Sequence, residues 1–171
     1  LECGGKNPAV VMDDVEDVDL VAGHVVNGAF WNMGENCSAS SRLIVHADIK
    51  DDLLKRIGVQ MREWKMGNPL DPNNRLGAMV SKSHFEKVRS YLEQASVEKL
   101  DVVFGGNTEG NIFVEPTVVD GVGVDSRLFK EEIFGPVLTV TTFKTIDEAI
   151  TLAIDSVYGL AASVYTDNLR H

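Results

Sequence analysis

A cysteine on a glycine-containing turn is the first feature of this sequence able to do chemistry. Cys37 lies in FWNMGENCSAS, residues 30–40, after a long amphipathic stretch and before an apolar run. As a thiolate, a cysteine so placed attacks carbonyl carbon. A short helix beginning near Cys37 would favour the thiolate and offer N–H groups to the oxyanion formed by attack. The competing reading is an inert buried cysteine, since free Cys is among the most buried residue types. Glu35, two residues earlier, either opposes the thiolate by repulsion or points outward to solvent. Glu2 precedes Gly4 and Gly5, a pair that permits close backbone approach. It reads as a functional carboxylate or, more plainly, as a solvated turn residue. In Lys130–Val137 the carboxylates Glu131 and Glu132 lead into Phe134 and a Gly-Pro turn. Carboxylates accept hydrogen bonds from ribose hydroxyls and an aromatic face packs on a planar heterocycle, whereas a charged loop with Phe134 plugged into the core is the structural alternative.

Other groups carry less. Gly105 to Gly110 follows a strand but lacks the G-x-G-x-x-G spacing, so it reads as a hairpin turn. His24, His46, His84 and His171 are scattered and share no metal-ligand spacing with the cysteines, so no zinc site is expected.

The elements that must position these residues alternate. Ala9–Met12 reads as a buried strand, and Val15–Phe30 as a helix with apolar residues at helical spacing and acids near its start. Arg42–His46 is a second strand and Asp48–Lys65 a second helix. Gly67–Gly77 is an irregular connection, and Ser81 caps a third helix running to about Leu100. Val102–Phe104, Ile112–Val114 and Thr117–Val119 are short β runs, and Val137–Phe143 is a clearer strand. Thr145 and Glu148 form a capping box for the helix Ile146–Ile154, and Leu160–Tyr165 is a last strand. This rhythm predicts an α/β fold with a largely parallel sheet flanked by helices.

Composition narrows the function classes. With 171 residues, 44% hydrophobic and 25% charged, the chain suits one domain with its own core. Sixteen Lys and Arg against 26 Asp and Glu give a net charge of −10, which disfavours nucleic acid. No apolar run approaches the roughly 20 residues of a membrane span. Two cysteines and no signal-peptide pattern lead us to expect a reducing cytoplasm. Both ends are abrupt, which suggests a piece of a longer chain.

LECGGKNP, FWNMGENCSASSR, EEIFGPV and YGLAASVY, in this order, resemble the aldehyde dehydrogenase superfamily across essentially the whole chain. The carrying patterns are E-x-G-G-K, F-x-x-x-G-x-x-C and E-I-F-G-P. LECGGK with GENCSASSRL is similar to the bacterial aminoaldehyde and γ-glutamyl-aminobutyraldehyde dehydrogenases. The resemblance implies the catalytic domain, truncated at both ends, with Cys37 as nucleophile, Glu2 as general base, Glu132 on the coenzyme ribose and Phe134 near the nicotinamide. It implies an aldehyde substrate and NAD or NADP, bound mainly by a coenzyme-binding domain that residues 1–171 do not contain, in a homo-oligomeric parent. Glu35 stands where the family more often has Gln, and Ile154 where many members have Asn. Glu2 and Cys37 are expected to approach one cleft, with Glu132 and Phe134 facing it. The alternatives are a coenzyme-free cysteine thioesterase or esterase, and a non-catalytic interaction fragment.

Overall fold

The computed structural model describes residues 3–110 and 112–170. Glu2 therefore lies outside the described residues, as do Leu1, Asn111 and His171. The expected α/β architecture is present, with some elements trimmed. Strand β1 is Pro8–Val11, and helix α1 is Val18–Phe30. The helix starts three residues later than its apolar pattern suggests because the Asp17 carboxylate accepts from the N–H of Leu20 at 2.9 Å and so caps it. Val21, Ala22, Val25, Val26, Ala29 and Phe30 form its buried face.

Strand β2 is Arg42–His46 and helix α2 is Lys50–Met61, shorter than Asp48–Lys65. Beyond Met61 the chain tightens into a turn, with Trp64 N–H on the Met61 carbonyl at 2.9 Å, and Trp64 packs edge-on against Phe30. Helix α3, Lys82–Val97, is capped by Ser81 as expected. Strand β3 is Asp101–Phe104; β4, Thr108–Glu109, pairs antiparallel with β5, Phe113–Val114. The 105–110 stretch thus supplies one arm of a small hairpin, where the sequence suggested only its turn. Strand β6 is Thr117–Asp120, and a single-turn helix α4, Arg127–Lys130, follows without a clear sequence signal. Strand β7 is Val137–Phe143, helix α5 is Ile146–Ile154 with the Thr145–Glu148 capping box, and β8 is Ser163–Tyr165.

The six-stranded sheet has the order β3-β6-β7-β2-β1-β8. All neighbouring strands are parallel except β3, which runs antiparallel to β6 at one edge. Side chains alternate between faces, yet both faces are covered, so the strands read as continuous apolar runs. Ala9, Val11, Leu43, Val45, Leu138 and Val140 pack with α1 and α2. Val10, Ile44 and Phe143 meet Ala149 of α5 on the other face, beside Val119 and Val137 under α3 and α4. The register pairs Pro8 with Arg42 and Arg42 with Thr139, so the loops entering β1, β2 and β7 arrive at the same edge of the sheet.

Candidate active site

That edge, at the amino ends of the parallel strands, gathers the turn of Cys37 and the loop of Glu132 and Phe134. Cys37 is half-buried in a turn between the 3₁₀ segment Trp31–Gly34 and β2. No helix begins there, so the condition under which helical N–H groups would favour the thiolate is not met. Ser38 N–H instead donates to Asn36 Oδ1 at 3.1 Å, and Ala39 N–H to the Asn36 carbonyl at 3.0 Å. The asparagine side chain closes the turn on itself, a common Asx arrangement that competes with helix formation.

The turn is held from below by the segment entering β1. Asn7 donates through Nδ2 to the carbonyls of Cys37 at 2.7 Å and Ala39 at 2.9 Å, and accepts at Oδ1 from Ala161 N–H at 2.9 Å. One buried amide thereby ties together the entries to β1, β2 and β8. Gly5 lies so close to this turn that a Cβ there would collide with the Cys37 carbonyl oxygen. Its N–H donates to Glu132 Oε1 at 2.7 Å. Gly4, at φ +85, leaves room for the Tyr158 ring, and a Cβ on it would lie 3.3 Å from Glu132 Oε2.

The two neighbouring glutamates do different work. Glu131 receives Arg127 Nε at 2.9 Å, Arg127 Nη2 at 2.8 Å and the Tyr91 hydroxyl at 2.8 Å. Those hydrogen bonds, Arg127 first, pull its carboxyl down to about 2. Burial, with the Glu131 bond adding to it, pushes Tyr91 up to about 12. Glu131 is thus committed to a structural cluster, and Glu132 turns toward Gly5.

Phe134 does not plug the core. Ile133 does, at 1% exposure, while Phe134 is half-buried with φ +58, a conformation costly for a bulky side chain. Its carbonyl accepts from His84 Nε2 at 2.6 Å, and its ring meets the His84 ring edge-to-face at 5.8 Å. Glu35 does not point outward either. Its Oε1 accepts from Val80 N–H at 2.9 Å and lies 3.5 Å from His84 Nε2.

Beneath these loops sit two buried cations that the sequence reading did not single out. Arg42 is 1% exposed and Lys6 is 2% exposed. The Arg42 guanidinium donates to the carbonyls of Lys6 at 2.9 Å, Leu152 at 2.9 Å and Ala153 at 2.8 Å, so it caps the end of α5 and binds it to β1. Lys6 Nζ is buried with no hydrogen-bond partner among the described residues. Burial, then the Arg42 charge, lowers its pKa to about 7 against the opposing pull of Glu132 and Glu131. Asn7 and Lys6 directly follow the glycine pair, and Arg42 opens a strand although charged, which was the available signal for all three.

A two-faced, mostly parallel α/β sheet whose strand-entry loops gather a thiol, a backbone-anchored carboxylate and a half-exposed aromatic ring defines the class. The chain belongs to the aldehyde dehydrogenase family, an oxidoreductase family whose model matches residues 1–171. It is 75% identical, over its whole length, to an aminoacetaldehyde dehydrogenase of Pseudomonas aeruginosa, and covers 34% of that protein. Among solved structures it is similar to an NAD-dependent aldehyde dehydrogenase from Sinorhizobium meliloti, with TM-score 0.95, 40% identity, and coverage of 99% of this chain and 34% of the other. It is also similar to the γ-glutamyl-γ-aminobutyraldehyde dehydrogenase from Burkholderia cenocepacia J2315, with TM-score 0.94, 44% identity, and coverage of 99% and 35%. The chain spans about a third of the length of these relatives. Among the described residues no helix is long and apolar enough to cross a membrane.

Proposed function

We propose that the full-length protein containing this chain oxidises an aldehyde to a carboxylic acid with NAD or NADP. An aminoaldehyde is the first substrate to test, given the Pseudomonas aeruginosa relative. The Cys37 thiolate adds to the aldehyde carbon, forming a C–S bond and an alkoxide. A bound coenzyme would supply the hydride acceptor, and loss of hydride from this carbon would leave a thioester on Cys37. Water deprotonated by Glu2 attacks the thioester, the C–S bond breaks and the thiolate is regenerated.

The chain's own groups fit the nicotinamide end of such a coenzyme. Glu132 is anchored through Oε1 on Gly5, so its second oxygen can accept from ribose hydroxyls, and the half-exposed Phe134 ring offers an apolar face. The N–H groups of Ser38 and Ala39 are already bonded to Asn36, so an amide from the coenzyme-binding domain is the expected alkoxide donor, worth roughly 3 kcal/mol. We assign that domain, most of the coenzyme surface and the contacts of a homo-oligomer to the two-thirds of the parent beyond residues 1–171. The cytoplasm belongs to the same proposal, supported by the small number of cysteines.

The double engagement of Gly5 carries this reading. Its N–H holds Glu132 while its Cα rests on the Cys37 carbonyl, so nucleophile and coenzyme-holding carboxylate share one backbone reference. The test is reduced-coenzyme formation by the full-length protein and its Cys37→Ser variant across a panel of aminoaldehydes, alongside thioester hydrolysis without coenzyme. Turnover that vanishes in Cys37→Ser supports the proposal. Coenzyme-independent thioester hydrolysis with no aldehyde oxidation would replace it with a cysteine hydrolase.

A further inference from the structure

The turn that carries Cys37 and the loop that carries Phe134 are latched together by groups with no part in the proposed chemistry. Glu35 lies two residues before the thiol, and its side chain is 8% exposed. The carboxylate accepts from Val80 N–H, just ahead of the α3 cap, at 2.9 Å and lies 3.5 Å from Nε2 of His84 on α3. His84 sits in the first turn of α3, where its own N–H donates to the cap Ser81 Oγ at 3.2 Å. That helix is anchored in the core by Phe85 and Val88, so the imidazole has a rigid base.

At 2.6 Å from the Phe134 carbonyl, His84 Nε2 must carry the proton, since two acceptors cannot face each other at that distance. The same nitrogen faces Glu35, and the ring edge meets the Phe134 ring. Phe134 holds φ +58, a conformation that a bulky residue keeps only where its surroundings impose it. A second contact reinforces the first, because a Cβ on Gly34 would collide with the Gly135 carbonyl. Gly34 flanks Glu35 and Gly135 flanks Phe134.

We propose that His84 and Glu35 are positioning residues that fix the Phe134 ring relative to the Cys37 turn, and so set where a planar ring lies above the thiol. Neither touches the reacting atoms; both act through Phe134. This deepens the proposed coenzyme role of Phe134 and rests on it for the kinetic readout only.

The experiment uses the full-length protein with 4-fluorophenylalanine incorporated at position 134, in wild type and in His84→Ala, His84→Gln, Glu35→Gln and the double variant His84→Ala/Glu35→Gln. In wild type the ¹⁹F resonance is a single narrow line. His84→Ala broadens or splits it, and His84→Gln, which keeps an N–H donor, restores it. In the unlabelled proteins, KM for coenzyme rises about fivefold to tenfold in His84→Ala, while the rate of Cys37 alkylation stays within about twofold. The double variant costs less than the sum of its singles. An unchanged ¹⁹F line in His84→Ala, or fully additive effects, overturns the proposal. Should His84→Ala fail to fold, Glu35→Gln decides alone, since it keeps an acceptor for Val80 but removes the charge beside His84; an unaltered ¹⁹F line there overturns the brace. Loss of aldehyde turnover in wild type would sink the proposed function and leave the ¹⁹F result standing.

Discussion

The two ends of the parallel sheet differ in what they do with polar groups. At the amino ends, Lys6, Asn7 and Arg42 are almost fully buried, and the latter two bridge loops from different strands. At the carboxyl ends, Asp13, His46 and Asp48 bring ligand atoms within 4.8 Å of one another, but both aspartates are exposed. His46 spends its nitrogens locally, Nδ1 at 3.3 Å from Asp48 N–H and Nε2 at 3.3 Å from the Lys144 carbonyl. A cavity of about 650 Å³ lies beside Phe143 and Asp147, against about 500 Å³ beside Glu131 and Tyr158 and about 360 Å³ beside Lys6 and Arg42. Open parallel sheets commonly bind ligands at their carboxyl ends. Here buried, cross-strand polar contacts mark the opposite edge, where the Cys37 turn and the loop of Glu132 also lie.

If that contrast is right, substitutions at the amino edge are costly and those at the carboxyl edge are not. The largest effect belongs to Gly5→Val, whose side chain drives into the Cys37 carbonyl. Shifting the thiol by about 1 Å should cost roughly a hundredfold in kcat/KM, measured with the best aldehyde of the panel. Asn7→Ala comes next. It removes the amide's bonds to the carbonyls of Cys37 and Ala39 and to the N–H of Ala161, and should destabilise the protein by about 3 kcal/mol in urea unfolding.

Lys6→Met sharpens the comparison through pH. The folded pKa of Lys6 is lowered from 10.5 to about 7, so between these values the unfolded chain binds the proton and the native chain does not. Stability from this group therefore rises with pH across that window, and the full penalty of the buried ammonium is present below about 7. Lys6→Met should remove that rise and be more stable than wild type at pH 6, read from denaturation midpoints at pH 6 and pH 10. A wild-type profile that matches the variant's would contradict the buried-charge account.

Glu132→Gln should raise KM for coenzyme about tenfold, while Glu131→Gln should mainly lower stability, because only Glu132 faces Gly5. The smallest effect is Asp48→Asn, expected within about 0.5 kcal/mol of wild type in stability and without effect on turnover. A loss of activity there comparable to that of Glu132→Gln would break the distinction between the two edges.

Much of this was legible in the sequence, for identifiable reasons. Long periodic segments such as Val137–Phe143 and Ile146–Ile154 announced themselves because pattern, capping and length agree. Cys37, Glu132 and Phe134 were singled out through motif resemblance, and the structure brings their loops to one edge. The α4 turn was missed because four residues carry no period. Asn7, Arg42 and His84 were missed because their partners lie far away in sequence, 30 and 32 residues for Asn7 to the Cys37 turn and 50 for His84 to Phe134. No helix forms at Cys37, because Asn36 offers the backbone a local alternative.

The central claim is that Cys37 is the nucleophile of a site completed outside residues 1–171, and partial alkylation tests it most directly. The full-length protein and the isolated chain would be treated with iodoacetamide for increasing times, with carbamidomethylation of Cys37 and Cys3 quantified by mass spectrometry and reduced-coenzyme formation measured on the same samples. The account predicts that full-length activity falls in proportion to the modified fraction of Cys37. It also predicts that the isolated chain, though labelled at Cys37, produces no reduced coenzyme at any time, since hydride transfer depends on positioning it cannot provide. Full activity with Cys37 completely modified, or Cys37-dependent turnover by the isolated chain, would contradict it.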